Sequence, residues 1–162
     1  MTGTRHPAPI GVFGGTFDPI HFGHLRTAYE LLQVLRLDHV RFVPAGDPPH
    51  REAPRVDAQR RLELVRAATA DQPGFVVDDR EVRRAGPSYS VLTLADLRAE
   101  LPATPLCLIL GMDAFRGLAD WHRWRELLDL AHIVVAPRPG WSGPADGDAL
   151  AGVLAERGAG SR

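Results

Sequence analysis

The sequence predicts an α/β protein built on a doubly wound parallel sheet of about five strands. Three observations carry that expectation. Short apolar runs alternate with amphipathic stretches at helical spacing along most of the chain. The first apolar run passes into a glycine pair and then a helix, the arrangement by which parallel sheets meet anions. The 162 residues, 44 % of them hydrophobic, suffice for one core without cross-links.

Taken in order, the first strand is Ile10–Phe13, an apolar run ended by glycines. A helix is predicted from Gly23 to Leu37, because Leu25, Ala28, Leu31, Leu32 and Leu35 recur on one face. Val40–Pro44 is the second strand, and the Pro-rich segment Ala45–Pro54 is a loop. Asp57 is a suitable N-cap for a helix running to about Ala70, with Leu62, Val65 and Ala68 facing inward. Phe75–Asp78 is the third strand, and a connection over Asp79–Pro87 leads to a helix from Ser90 to Leu101. Leu106–Leu110 is the fourth strand, ending at Gly111-Met-Asp113. Trp124–Leu130 is helical and Ile133–Ala136 is the fifth strand. Beyond Arg138 the composition turns to Pro, Gly and Ser, with one short helix expected over Ala149–Glu156 and a frayed end.

Charge narrows the function. With 19 basic against 20 acidic residues the formal net charge is −1, which argues against a surface that coats nucleic acid. The single cysteine, Cys107, lies inside an apolar strand and reads as a buried small hydrophobe in a reducing compartment. No run has the form of a signal peptide or the length of a membrane span, so a soluble, cytoplasmic protein is expected.

The chemistry-bearing residues fall after the carboxyl ends of the predicted strands, where ligands sit in open parallel sheets. Gly14 and Gly15 let the backbone approach an anion, and the helix behind them offers unpaired N–H groups and its positive end. His21 and His24 can add donors at the same spot; the other readings of the pair are structural or metal-binding, and no third ligand is evident. Asp18 reads as a loop-stabilising acceptor before a catalytic group. Asp113 fits either a ligand contact or a helix N-cap. His50 and Arg51, on a proline-stiffened loop, fit either an anion clamp or a solvated pair. Trp121 fits either a stacking plate or a core residue. The backbone at Tyr89 and Ser90, opening a helix, suits a carboxylate.

The strand, glycine pair and His21-Phe-Gly-His24 resemble the nucleotidyltransferases marked by an H-x-G-H signature, whose fold is Rossmann-like. The ordered set is closer still. Gly14-Gly-Thr-Phe-Asp-Pro-Ile-His-Phe-Gly-His24, Pro48-Pro-His-Arg51, Arg84-x-Gly-Pro-Ser-Tyr-Ser90, Gly111-x-Asp113, Trp121 and Arg138-Pro-Gly140 resemble the bacterial nicotinate-nucleotide adenylyltransferases over roughly residues 9 to 140.

That resemblance implies adenylyl transfer from ATP, with Mg²⁺ on the triphosphate, to nicotinate mononucleotide, giving deamido-NAD and pyrophosphate. It implies catalysis by His21 and His24. ATP would contact Gly14, Gly15, Thr16, Phe17, His21, His24, Gly111 and Asp113. The acceptor would contact His50, Arg51, Tyr89, Ser90, Trp121 and Arg138. Nicotinamide mononucleotide and phosphopantetheine are the alternative acceptors. No resident metal site, nucleic acid or membrane partner is expected.

Three departures stand out. Ser90 replaces the family's usual Thr, and His122 stands where a second aromatic is common. The family also carries a Ser-Thr-x-x-Arg segment beyond the fifth strand, and no such pair follows Arg138. The expectation is therefore a nucleotidyltransferase domain over 1–140, a turn-rich tail over 141–162, and a C-terminally shortened copy that binds nucleotide but turns over slowly.

Overall fold

The structure, a computed structural model, describes residues 7–46, 56–84 and 89–136. Strands β1 (Ile10–Gly15), β2 (His39–Pro44), β3 (Phe75–Val77), β4 (Leu106–Gly111) and β5 (His132–Ala136) form one parallel sheet in the order β3-β2-β1-β4-β5. The chain lays β2 and β3 to one side of β1, then crosses to lay β4 and β5 on the other. A crevice therefore opens where β1 and β4 end, the position at which doubly wound sheets bind ligands. The predicted fold class is the observed one.

Side-chain alternation along the strands splits the core into two layers. Val12, Leu106, Leu108 and Leu110 face α4 (Ser90–Glu100) and α6 (Trp124–Leu130). Phe13, Val40, Phe42, Cys107 and Ile109 face α1 (Phe22–Val34) and α2 (Ala58–Thr69). Leu94, Leu97 and Leu127 are each 0 % exposed. Burial of that kind stabilises by roughly 1.5–3 kcal/mol per side chain, enough to hold α4 and α6 on the sheet. Gly11 is a packing glycine, since a Cβ there would stand 2.9 Å from Leu37 Cδ1 and 3.0 Å from Ile109 Cδ1. Cys107 is buried as expected, and burial pushes its thiol up.

Several boundaries differ from the sequence reading, each for a local reason. Helix α1 stops at Val34, not Leu37. Arg36 takes a left-handed φ of 52°, the Arg36 N–H donates to Gln33 O, and the Leu37 N–H donates to Leu32 O. That is a Schellman close, with arginine where glycine is usual, so no sequence signal marked it. Leu37 is buried by this turn, whereas Leu35 points outward at 37 % exposure.

In α2, Asp57 caps the helix as predicted, accepting from the Arg60 N–H at 2.9 Å. Ala68 is exposed rather than inward, and the buried face carries Arg61, Leu62, Val65 and Thr69. β3 ends one residue early, at Val77; the Asp78 N–H still donates to Phe42 O, and its carboxylate accepts from Arg41 and Arg80. Burial opposes its charge, but those guanidinium bonds hold the Asp78 carboxyl below its usual range. A one-turn helix, α3 (Arg80–Arg83), occupies part of the expected connection, and α5 (Met112–Arg116) follows β4 directly. Among the described residues no helix is long and apolar enough to cross a membrane. The expected Ala149–Glu156 helix, the boundary at 140 and the 141–162 tail lie outside the described residues.

Candidate active site

The crevice holds a cavity of about 380 Å³. β1 runs into it because Gly14 and Gly15 continue the ladder against Val43 and Pro44. Its walls are Phe13 to Phe17, His21, Gly23, His24 and Thr27 on one side, Gly111 to Ala114 on the other, and Ala136 of β5. Gly14, Gly15, Thr16, Phe17, His21, His24, Gly111 and Asp113, singled out in the sequence, thus line one space.

Two of the glycines at its edge, Gly14 and Gly111, are not required by packing. A Cβ on Gly111 would meet nothing within 4 Å, and one on Gly14 would find only Val43 O at 3.9 Å. Gly111 has an ordinary extended backbone, with φ −72° and ψ 166°. The protein leaves this room unfilled, which fits close approach of a ligand.

The two histidines form a reciprocal cap on α1. His21 is the N-cap, and its Nδ1 accepts from the Gly23 N–H at 3.1 Å. His24 Nδ1 accepts from the His21 N–H at 3.0 Å. Imidazoles thus replace the Ser/Thr and Glu of an ordinary capping box. An accepting Nδ1 leaves the proton on Nε2, so each ring is an Nε2–H donor by the logic of its hydrogen bonds. The rings stack with centroids 3.8 Å apart. Gly23 permits this packing, because a Cβ there would stand 3.0 Å from His21 Cε1. His24 also lies edge-on to Phe17 at 5.0 Å and Phe13 at 6.1 Å. Burial, with a smaller contribution from His21, lowers the His24 pKa to about 4, so it is neutral at pH 7.

One expectation is corrected here. The sequence suggests that α1 offers bare N–H groups to an anion. Three of its first four are satisfied internally: Gly23 N–H by the His21 ring, and those of His24 and Leu25 by His21 O at 3.0 and 3.4 Å. The helix presents imidazole donors instead.

The loop between β1 and α1 is braced from behind. Asp18 accepts from the Val56 N–H at 2.9 Å, the structural role favoured in the sequence, and the Asp18–Pro19 peptide is cis. Phe17 adopts a left-handed φ of 49°, costly for a bulky side chain. Its ring, 4 % exposed against Phe13 and Phe42, offsets that cost. Asp113 sits in the first turn of α5 and faces solvent on the cavity wall. The N-cap is Gly111, so the capping alternative for Asp113 is set aside.

The residues expected to serve an acceptor divide. Tyr89 is the N-cap residue of α4 and makes no side-chain cap bond; Ser90 is the first helical residue. The Tyr89 ring stacks on His122, centroids 4.3 Å apart. Trp121 is half-buried against the core layer of α4 and α6. None of the three lines the 380 Å³ cavity. His50, Arg51 and Arg138 lie outside the described residues. Among the described residues no cluster of three or more His, Cys, Asp or Glu is arranged to hold a metal.

Sequence reasoning missed Thr27, Met112 and the Tyr89–His122 stack. It also missed Arg61, 0 % exposed behind the loop, whose only trace is a charge on the inward stripe Arg61, Val65, Thr69.

Comparison with known proteins places this geometry. Residues 12–156 match the model of a family described as cytidylyltransferase-like. A protein of Aeromonas hydrophila named "Probable nicotinate-nucleotide adenylyltransferase" is 56 % identical over 133 residues, which cover 82 % of this chain and 62 % of that protein. A protein of the same name from Halorhodospira halophila is 56 % identical over 148 residues, 91 % of this chain and 67 % of its own. The chain thus spans about two thirds of the length of such relatives. Plasmodium falciparum nicotinic acid mononucleotide adenylyltransferase, solved in complex with NaAD, superposes with a TM-score of 0.74 at 13 % identity, over 93 % of this chain and 71 % of that one, a likeness of fold. The chain belongs to the cytidylyltransferase-like family, among the nicotinate-nucleotide adenylyltransferases.

Proposed function

We propose that this chain carries the adenylyl-transfer site of a nicotinate-nucleotide adenylyltransferase. A phosphate oxygen of nicotinate mononucleotide attacks the α-phosphorus of ATP. The new P–O bond makes deamido-NAD, and the bond to the β-phosphate oxygen breaks to release pyrophosphate. One observation carries the reading: a nucleotide-sized cavity at the β1/β4 switch, walled by the Gly14-Gly15 loop and two imidazoles fixed as Nε2–H donors.

In-line transfer at phosphorus asks the protein for alignment and charge stabilisation, with little covalent help. His21 and His24 supply donors to phosphate oxygens as charge shifts toward the leaving group. Being neutral, His24 costs little to desolvate and offers a hydrogen bond rather than a full charge. Gly14, Gly15, Thr16 and Phe17 are the backbone contacts to the triphosphate in this reading, and Gly111 and Asp113 face the adenosine. Mg²⁺ enters on ATP, as part of the substrate.

For the acceptor, the N-terminus of the eleven-residue α4 at Tyr89 and Ser90 suits the nicotinate carboxylate, and Trp121 gives the pyridine a plate. A carboxylate gains from several donors where an amide NH₂ would oppose them, which favours the acid over nicotinamide mononucleotide. His50, Arg51 and Arg138 are the basic groups assigned to the acceptor and its phosphate.

The test is pyrophosphate release by this chain with ATP and each of nicotinate mononucleotide, nicotinamide mononucleotide and phosphopantetheine. Turnover is expected with the first. Turnover with another acceptor alone would reassign the substrate, and calorimetric ATP binding without product would leave a nucleotide-binding module. A chain that shows no ATP binding and no turnover ends the reading.

A further inference from the structure

We infer that Arg61 is a positioning residue for nucleotide binding, acting through the Thr16–Phe17 peptide; the inference rests on the ATP-binding reading above. Arg61 lies in the first turn and a half of α2 and is 0 % exposed. Its guanidinium reaches back over the start of its own helix to four carbonyls on three separate segments. Nε donates to Val56 O at 2.9 Å. Nη1 donates to Thr16 O at 2.8 Å and Ala45 O at 2.7 Å, and Nη2 donates to Gly46 O at 3.3 Å. Charge-assisted bonds of this kind are the stronger class, and the planar fork fixes their mutual angles.

The consequence for the cavity follows from peptide geometry. In a trans peptide the carbonyl and the following N–H point in opposite directions. Binding Thr16 O from behind turns the Phe17 N–H to the side away from Arg61. Thr16 and Phe17 line the cavity, whereas Arg61 has no exposed surface. The same residue holds Phe17 in its left-handed φ of 49°, a conformation a bulky side chain leaves readily when nothing secures it. Arg61 therefore sets the aim of one backbone donor at the mouth of β1. It also ties that donor to Ala45, Gly46 and Val56, the residues that bracket 47–55. A lysine cannot reproduce this, because its three donors radiate from one atom.

The test compares the wild-type chain with Arg61→Lys and Val65→Ala, measuring ATP binding by calorimetry beside thermal melts. Val65 is buried one turn further along α2, in the same apolar cluster as Phe17, and its side chain carries no donor for the loop's carbonyls, so it reports what loss of packing does without loss of the guanidinium bonds. Arg61→Lys should weaken ATP binding by about tenfold or more, the loss expected from one misdirected hydrogen bond to a charged ligand. Val65→Ala should melt earlier yet bind as the wild type does. Unchanged affinity in Arg61→Lys overturns the inference, as does an equal loss in Val65→Ala. A second measurement needs no variant: the Phe17 amide proton of the wild-type chain should move downfield on addition of ATP. A resonance that stays put while others shift overturns the inference and leaves nucleotide binding intact. A wild-type chain that binds no ATP takes both readings down.

Discussion

Replacing Gly23 by alanine should leave the fold standing and remove most of the turnover. The added methyl would lie 3.0 Å from His21 Cε1 and 3.1 Å from His21 Nδ1, so the ring has to give by a few tenths of an ångström. It cannot do so and keep both its 3.1 Å bond to the Gly23 N–H and its 3.8 Å stack on His24. Stability changes little, because two terms oppose. Alanine in place of glycine inside a helix is worth roughly 0.5–1 kcal/mol, and a lost N-cap costs about 1 kcal/mol. The net should hold Tm within about 4 °C. Catalysis has no such compensation. Removing one oriented donor to a developing oxyanion costs about 10²–10³ in rate, so a displaced ring should cost about tenfold to a hundredfold in kcat/KM. Pyrophosphate release measured beside thermal melts reads both quantities. A Gly23→Ala chain that melts like the wild type and turns over at its rate would refute the claim that the paired imidazoles act through this geometry.

Acid should destabilise the chain through His24. The unfolded chain takes up that proton near 6.5 and the folded one only near 4, so this contribution is full above 6.5 and drains as pH falls toward 4. Urea melts should show the loss, and His24→Gln should flatten it; an unchanged slope would remove burial as the cause. Gly111→Val should fold normally, since its Cβ meets open space, and should weaken ATP binding by about tenfold or more by filling that space. Equal affinity by calorimetry would move the nucleotide away from β4. Trp121→Ala should mainly raise KM for nicotinate mononucleotide with kcat nearly kept. A chain that unfolds instead marks Trp121 as core.

The sheet was legible because the apolar runs are short, separate and ended by turn residues; all five strands were found to within two residues at either end. What escaped was set by tertiary context. The left-handed close at Arg36 carries no glycine, so the helical pattern ran on to Leu37. α5 is five residues long and begins without a side-chain cap, so nothing in Gly111-Met-Asp113 announced it. The cavity residues were readable for a different reason. They are clustered in sequence, eight of them in two short segments, and one sheet switch brings the two segments together. The acceptor residues are scattered over four segments. Among the described residues the structure pairs Tyr89 with His122, a stack fixed by two chain segments with no shared local pattern.

The reciprocal cap also accounts for how a helix can serve an anion while keeping its own end satisfied. The positive end of a dipole attracts phosphate, but bare N–H groups at a cavity mouth are paired with water until a ligand displaces it. Here those groups are spent on the two Nδ1 atoms and on His21 O, and the polarity is passed on through the rings. A hydrogen bond accepted at Nδ1 draws electron density across the imidazole and strengthens Nε2–H as a donor, a cooperative gain of about 10–30 % per bond. The stack then requires at least one ring to stay neutral, because two imidazolium ions 3.8 Å apart would repel. Burial against Phe13 and Phe17 makes His24 that ring. Its protonation would have to occur at Nδ1, the atom that accepts the His21 N–H. Acid therefore charges the ring and opens the cap in one event, so a fall in turnover below about pH 4–5 should accompany loss of the helix start.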